Sequence, residues 1–164
     1  MEYKTLSHEF PPQYDRNSRI LVLGSFPSVK SREEKFYYGH KQNRFWPLIA
    51  MICGEENPDS VEEKKHLAET HHIALWDVID SCEIIGSSDA SIKNVKVNDL
   101  SLVIEASEIQ HIYLNGGKAA ELYKKYISDR IKIPAVKLPS TSPANAAWNM
   151  DRLAEEWKQI REFI

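Results

Sequence analysis

Four apolar residues in a row, Ile20-Leu21-Val22-Leu23, stop abruptly at Gly24. So short a run, without polar alternation, does not suit a strand with one wet face. It reads as a strand covered on both sides, as in a parallel sheet. Three further segments read as strands: Ile73-Ala74-Leu75-Trp76, also buried, then Ile109 to Leu114, and Ala135-Val136-Lys137-Leu138. Helical stretches separate them. Four such strands alternating with helices predict an α/β fold around a mainly parallel sheet.

The helices are set by their punctuation. Asn43 caps a helix carrying Phe45, Trp46, Ile49, Ile52 and Cys53, with Pro47 in the first turn and Gly54 as its stop. Ser60 and Glu63 form a capping box for a second. Further helices are expected from Asn98 or Asp99 to Ser107, over 118–128, and over roughly 145–163, where Trp148, Leu153, Trp157, Ile160 and Phe163 fall mostly on one face. Residues 1–18, with Pro11-Pro12, read as irregular, 25–42 as a long loop, Asp77 as the cap of a short turn VIDSC, and GSSDASIKNVKVN as a polar connection. The length fits one domain over 1–164.

Ligands of such sheets sit beyond the carboxyl ends of the strands. Three of the four strands end in chemically pointed turns, Gly24-Ser25-Phe26-Pro27-Ser28, Asn115-Gly116-Gly117 and Leu138-Pro139-Ser140-Thr141-Ser142-Pro143, which should share one rim. In the first, Gly24 permits close approach, Pro27 fixes the turn, and backbone N–H groups are offered to an oxygen or anion. No GK[ST] follows, so it is not a nucleoside-triphosphate loop. Phe36-Tyr37-Tyr38-Gly39-His40 is an aromatic loop suited to base stacking or to plugging the core. Asn43 is a helix cap or a group that positions a water; Asn115 is a turn former or a ligand contact. Ser140, Thr141 and Ser142, between two prolines, suit a loop pressed on a phosphate backbone. A Ser140/His40/Asp77 hydrolase triad lacks the GxSxG elbow.

Two cysteines, Cys53 and Cys82, form no CxxC, and the six histidines show no HExxH, so neither a metal centre nor a cofactor is expected. No run approaches a membrane span and no signal pattern opens the chain. The expected compartment is the cytoplasm, nucleoid-associated if the source is prokaryotic. The net charge of −3 hides an uneven distribution. Residues 51–110 carry thirteen acids against four bases, while 1–50 carry eight bases against five acids and 111–164 nine against six. Phosphate binding answers to the local field, so basic end thirds leave nucleic acid open as a partner.

Taken together, GSFPS, FYYGHKQNRFW, LWDV with the following SC and GSSDASI, and LPSTSPANA resemble, in order and over nearly the whole chain, the uracil-DNA glycosylase superfamily, and within it the DNA-deoxyinosine (hypoxanthine-DNA) glycosylase branch. The resemblance implies a three-layer αβα fold with a central four-stranded sheet. It also implies a monofunctional enzyme, acting on DNA, that flips out a deaminated base, hydrolyses its N-glycosidic bond and leaves an abasic site. One departure from uracil-excising branches is Phe26, where a polar catalytic Asp or Asn is usual; this agrees with the deoxyinosine branch, whose catalytic Asn matches Asn43. Two cysteines exclude the iron–sulfur branches.

The roles implied are as follows. Asn43 is catalytic, through water or the leaving base. Gly24, Ser25, Phe26, Tyr38, His40 and Asn115 bind the base; Ser28, Ser140, Thr141, Ser142 and Pro143 contact DNA. The protein is expected to be a monomer. The alternatives are a mismatch-specific uracil or thymine glycosylase and a non-catalytic nucleotide- or base-binding domain.

Overall fold

The structure, a computed structural model, describes residues 2–164. In chain order the elements are β1 (Lys4–Ser7), β2 (Ile20–Gly24), α1 (Val29–Glu34), α2 (Phe45–Cys53), α3 (Val61–Thr70), β3 (Ile73–Asp77), β4 (Ile79–Ile84), β5 (Lys93–Val97), α4 (Ser101–Glu105), β6 (His111–Asn115), α5 (Gly117–Tyr126), β7 (Ala135–Leu138) and α6 (Met150–Trp157). Short 3-10 turns cover Asp89–Ser91, Ser128–Arg130 and Lys158–Phe163.

The four expected strands form one sheet in the order β3-β2-β6-β7, all pairs parallel, flanked by helices; β7, at its edge, is exposed except at Leu138. β2 and β3 are buried along their whole length, as their unbroken apolar sequences require. Gly24 lies opposite Asp77 across the β2–β3 pair, and Asn115 opposite Leu138 across β6–β7. The parallel register therefore brings all four strand ends to one rim. On the outer side of β3, Gln13 exchanges both backbone hydrogen bonds with Leu75 (2.9 and 2.8 Å), which covers that edge.

A second, antiparallel sheet of order β1-β4-β5 was not expected. It replaces the irregular start, the VIDSC turn and part of the polar connection. The reason is visible in the side chains. Leu6 is the only apolar residue of β1, and bulges shift the β4–β5 register, so neither strand shows clean alternation. Only Val78 separates β3 from β4. There the chain turns from one sheet to the other under the Asn98 amide, which donates to the carbonyls of Asp77 (2.9 Å) and Ile79 (3.2 Å). Asn98 thus serves the sheets and does not open a helix; α4 starts three residues later.

Other boundaries moved for similar reasons. The 25–42 loop contains α1, capped by the Ser28 hydroxyl on Ser31 N–H. The last helix begins at Met150, where the Asn149 side chain caps Arg152 N–H, because 139–149 is held as a loop. Phe36 and Tyr37 belong to the core, and Trp46 Nε1 donates to the Tyr37 carbonyl at 2.9 Å. Among the described residues no helix is long and apolar enough to cross a membrane, and no group of three or more His, Cys, Asp or Glu is placed to hold a metal ion.

Trp157 ties the last helix to the site. Its ring is fully buried and meets Phe45 of α2 edge-on at 5.9 Å, and its Nε1 donates to the Pro139 carbonyl at 2.9 Å. Trp157→Ala is expected to cost roughly 3–5 kcal/mol of stability, read as a lower urea midpoint.

Candidate active site

The turns after β2, β6 and β7 enclose a cavity of about 290 Å³, at the small end of ligand pockets. Gly24, Ser25, Phe26 and Ser28 line it from the first turn, and Tyr38, His40 and Asn43 from the segment leading into α2. Asn115 and the loop residues Ser140, Thr141, Ser142 and Pro143 complete the opposite wall. The site residues expected from sequence are thus brought together. Three more acids or phenols join them: Asp77, Asp89 and Tyr37. Asp77 and Asp89 belong to the acidic middle third, so that third supplies part of the site.

At the centre is a chain of hydrogen bonds whose directions two backbone N–H groups dictate. Phe45 N–H can only donate, so the Asn43 atom it meets at 2.9 Å is the carbonyl Oδ1. Likewise Thr141 N–H fixes Asn115 Oδ1 as its acceptor at 3.0 Å. Asn115 Nδ2 must then donate to Thr141 Oγ1 (3.0 Å), and the Thr141 hydroxyl in turn donates to Asn43 Oδ1 (2.8 Å). The Asn43 carbonyl is filled by two donors. Its Nδ2 engages none of the described residues and is the end left for a ligand. Thr141 is fully buried and its hydroxyl spent, so it does not suit the direct phosphate contact expected of it.

Arg44, missed in the sequence, holds the wall opposite. Its guanidinium donates to the carbonyls of Ser142 (2.8 Å), Asn145 (3.1 Å), Thr141 (3.4 Å) and Trp148, and its backbone N–H also reaches Thr141 O at 3.1 Å. Within the clamped loop, Ser140 Oγ accepts from Ser142 N–H and Ser142 Oγ from Ala144 N–H, both at 3.1 Å. Their acceptor sides are used, which leaves the hydroxyl protons to donate outward.

Several other hydroxyls are committed locally. Ser25 donates to Asp89 Oδ1 at 2.8 Å. Burial raises the Asp89 carboxyl, and the Ser25 bond and Lys118 only partly offset this. Ser28 is occupied as the cap of α1. His40 is exposed, and its Nδ1 takes the Gln42 N–H at 3.1 Å. The Phe26 ring lies 5.7 Å from the Arg32 guanidinium, which pins the turn through the Pro27 carbonyl at 2.8 Å.

The floor is the least expected part. Tyr38 has a left-handed backbone (φ 55°), and its ring stacks on Phe45 at 4.1 Å. Its hydroxyl is buried with no hydrogen-bond partner among the described residues. Burial first, then Asp77, push the phenol upward against the Asn115 side chain, so it stays an O–H donor. Asp77, expected as a cap, is buried at the end of β3, and its Oδ2 meets His8 Nε2 at 2.8 Å. A Cβ on Gly24 would lie 2.6 Å from Asp77 Oδ1 and 3.2 Å from the Tyr38 hydroxyl, so both oxygens occupy the space glycine leaves. Asp77 is partnered by His8 and not by His40, which leaves the hydrolase triad without its middle member.

Gly24→Ala is expected to displace Asp77 and Tyr38 at a cost of about 1–3 kcal/mol, seen as a lower thermal midpoint and loss of the His8–Asp77 contact in a crystal structure.

The chain has known relatives. The model of the uracil DNA glycosylase superfamily matches residues 11–164. A hypoxanthine DNA glycosylase of Methanosarcina acetivorans is 36% identical over 153 residues, 92% of this chain and 95% of the relative. One of Methanosarcina barkeri is 34% identical over 114 residues, 68% of this chain and 72% of the relative. The solution NMR structure of a candidate uracil DNA glycosylase from M. acetivorans superposes with a TM-score of 0.79 at 34% identity, covering 92% of this chain and 93% of that one. The chain belongs to the uracil DNA glycosylase superfamily.

Proposed function

We propose that this protein is a monofunctional DNA glycosylase that excises hypoxanthine from deoxyinosine in DNA and leaves an abasic site. Two relatives named hypoxanthine DNA glycosylase, alike over most of the chain, support the substrate. The observation that carries the reading is the Tyr38 hydroxyl, buried without a partner among the described residues, with Asp77 Oδ1 beside it, both packed against Gly24. Asp77 Oδ1 accepts and the Tyr38 hydroxyl donates. Side by side they complement a lactam edge, N–H beside C=O, which hypoxanthine presents. Adenine presents a ring nitrogen and an amino group there, the opposite pattern, and would leave both protein groups mispaired.

Bond breaking moves negative charge onto the departing base and positive charge onto the sugar. The Asn43 carbonyl is saturated, so Asn43 acts through its amide N–H, donating to the leaving base. The amino end of α2, which the same Asn43 holds, also favours negative charge. The base must first leave the stack, which costs a few kcal/mol and less for a mispaired lesion. Ser140 and Ser142 offer their hydroxyl protons, and Pro143 its rigid surface, to the phosphates flanking the lesion, while Thr141 positions Asn43. Phe26 forms the apolar wall against which the base lies. The protein acts as a monomer, in the cytoplasm.

An excision panel with hypoxanthine, uracil, thymine, xanthine and adenine in duplexes, followed by alkali cleavage, tests the assignment. Hypoxanthine release is expected to lead; no product with any lesion would sink it. Asn43→Ala should lower single-turnover excision by about 10²–10³ while lesion binding persists, and Thr141→Val, which removes only the hydroxyl, should lower it by roughly tenfold. Under subsaturating enzyme the rate should fall steeply with added salt, and a flat response would argue against contact with the DNA backbone.

A further inference from the structure

His8 is seven residues into the chain and does not line the cavity, yet its imidazole is buried against Asp77, with side-chain exposures of 2% and 5% for the pair. Its second nitrogen is also committed. Nδ1 lies 2.9 Å from the Phe10 carbonyl, which only accepts, so Nδ1 carries a proton. The remaining bond, Nε2 to Oδ2, then holds one further proton, whether it rests on the ring or on the carboxyl. Both forms have the same consequence for the cavity. The proton lies on the Oδ2 side, Oδ1 stays an acceptor, and the pair as a whole is neutral.

Neutrality matters at this place. The base that leaves gathers negative charge, and a lone carboxylate beside it would oppose the departure. A lone carboxylic acid would be no better, since its proton could settle on Oδ1 and meet the base's N–H with another donor. The groups facing Asp77 offer no other remedy. Tyr37 and Tyr38, from the segment before α2, are neutral phenols that burial, and after it Asp77, push further up, and Asp89, from the 3-10 turn, is itself an acid. The Tyr37 hydroxyl is turned away, donating to the Pro11 carbonyl at 3.0 Å. Among the described residues, His8 supplies the counter-proton.

We propose that His8 is a positioning residue for base recognition: delivered by β1, it locks Asp77 Oδ1 as a neutral-pair acceptor for the N–H of a deaminated base. The proposal rests on the reading of the site as a deaminated-base glycosylase. It also gives the small antiparallel sheet a task. His8 N–H donates to the Asp80 carbonyl at 2.6 Å, so the β1–β4 ladder sets the height at which the imidazole meets the strand end.

The test is His8→Gln, which keeps a donor to Oδ2 but cannot carry the proton. Single-turnover release of hypoxanthine is expected to slow by about tenfold at neutral pH and to fall further on acidification. The discrimination against adenine should narrow. Adding Asp77→Asn to His8→Gln, which makes the acceptor neutral without a histidine, should recover most of the lost rate and flatten the pH profile. A merely structural His8 predicts no such rescue. Rates and pH profiles of His8→Gln that superimpose on those of the wild type, or a double variant no better than the single one, would overturn the proposal.

Should His8→Gln not fold, proton NMR of the ¹⁵N-histidine wild type decides: two downfield hydrogen-bonded protons are expected at His8, one on Nδ1 and one in the bond between Nε2 and Asp77 Oδ2, and only one such proton overturns the lock. A wild type that releases no hypoxanthine would instead overturn the proposed function, and the His8 resonances would still report on the pair.

Discussion

The site depends on one guanidinium. Residues 139–149 have no regular structure, yet they carry one wall of the cavity and the hydroxyls directed at DNA. A loop of this kind holds its shape only if its carbonyls find donors. Arg44 supplies them from a single planar head, bonded to four carbonyls spread over eight residues of the loop. A lysine would bring the charge without the fork. Because Arg44 directly follows Asn43, the loop and the amide of Asn43 are fixed by the same turn of chain.

This arrangement separates holding from reacting. The groups that hold are saturated: the Asn43 and Asn115 carbonyls, the Thr141 hydroxyl, the Ser25 hydroxyl on Asp89 and the Ser28 cap. The groups that remain incomplete are Asn43 Nδ2, Asp77 Oδ1, the Tyr38 hydroxyl and the serine hydroxyl protons. Buried polar groups are ordinarily satisfied. Among the described residues the Tyr38 hydroxyl is such an exception at the cavity, while His72 Nδ1 and His111 Nδ1 lie at the far, amino ends of β3 and β6.

Much of this was legible in the sequence, and the boundary of what was legible is physical. The parallel sheet was readable because a doubly covered strand must be apolar without interruption, as β2 and β3 are; β7, exposed from Ala135 to Lys137 at the sheet edge, was legible only as a short strand between helices. The rim followed from the strand ends, and the membership of Asn43, Asn115 and Thr141 from their turns. Their roles did not follow. Whether an asparagine offers its carbonyl or its amide is decided by which backbone N–H it happens to meet, here Phe45 and Thr141, a matter of ångströms. Asp77 looked like a cap because Asp after a strand usually is one. The chain shows its significance only through His8, 69 residues away, and through a strand, β1, with a single apolar side chain. Arg44 was in plain view inside NRFW, but an arginine whose partners are all carbonyls leaves no complementary acid to look for.

The placing of His8 also has a dynamic side. β1 is four residues long, lies at the outside of its sheet, and pairs with β4 alone. Short edge strands are the parts of a fold that open first, well below the cost of global unfolding. Each such fraying would carry the imidazole away from its carboxylate while the rest of the cavity stood intact. The fraction of molecules competent to recognise a base is therefore set by a local equilibrium at the periphery. Anything that grips or loosens that ribbon, such as a neighbouring protein, a fused segment or mild denaturant, would tune the enzyme without touching its centre.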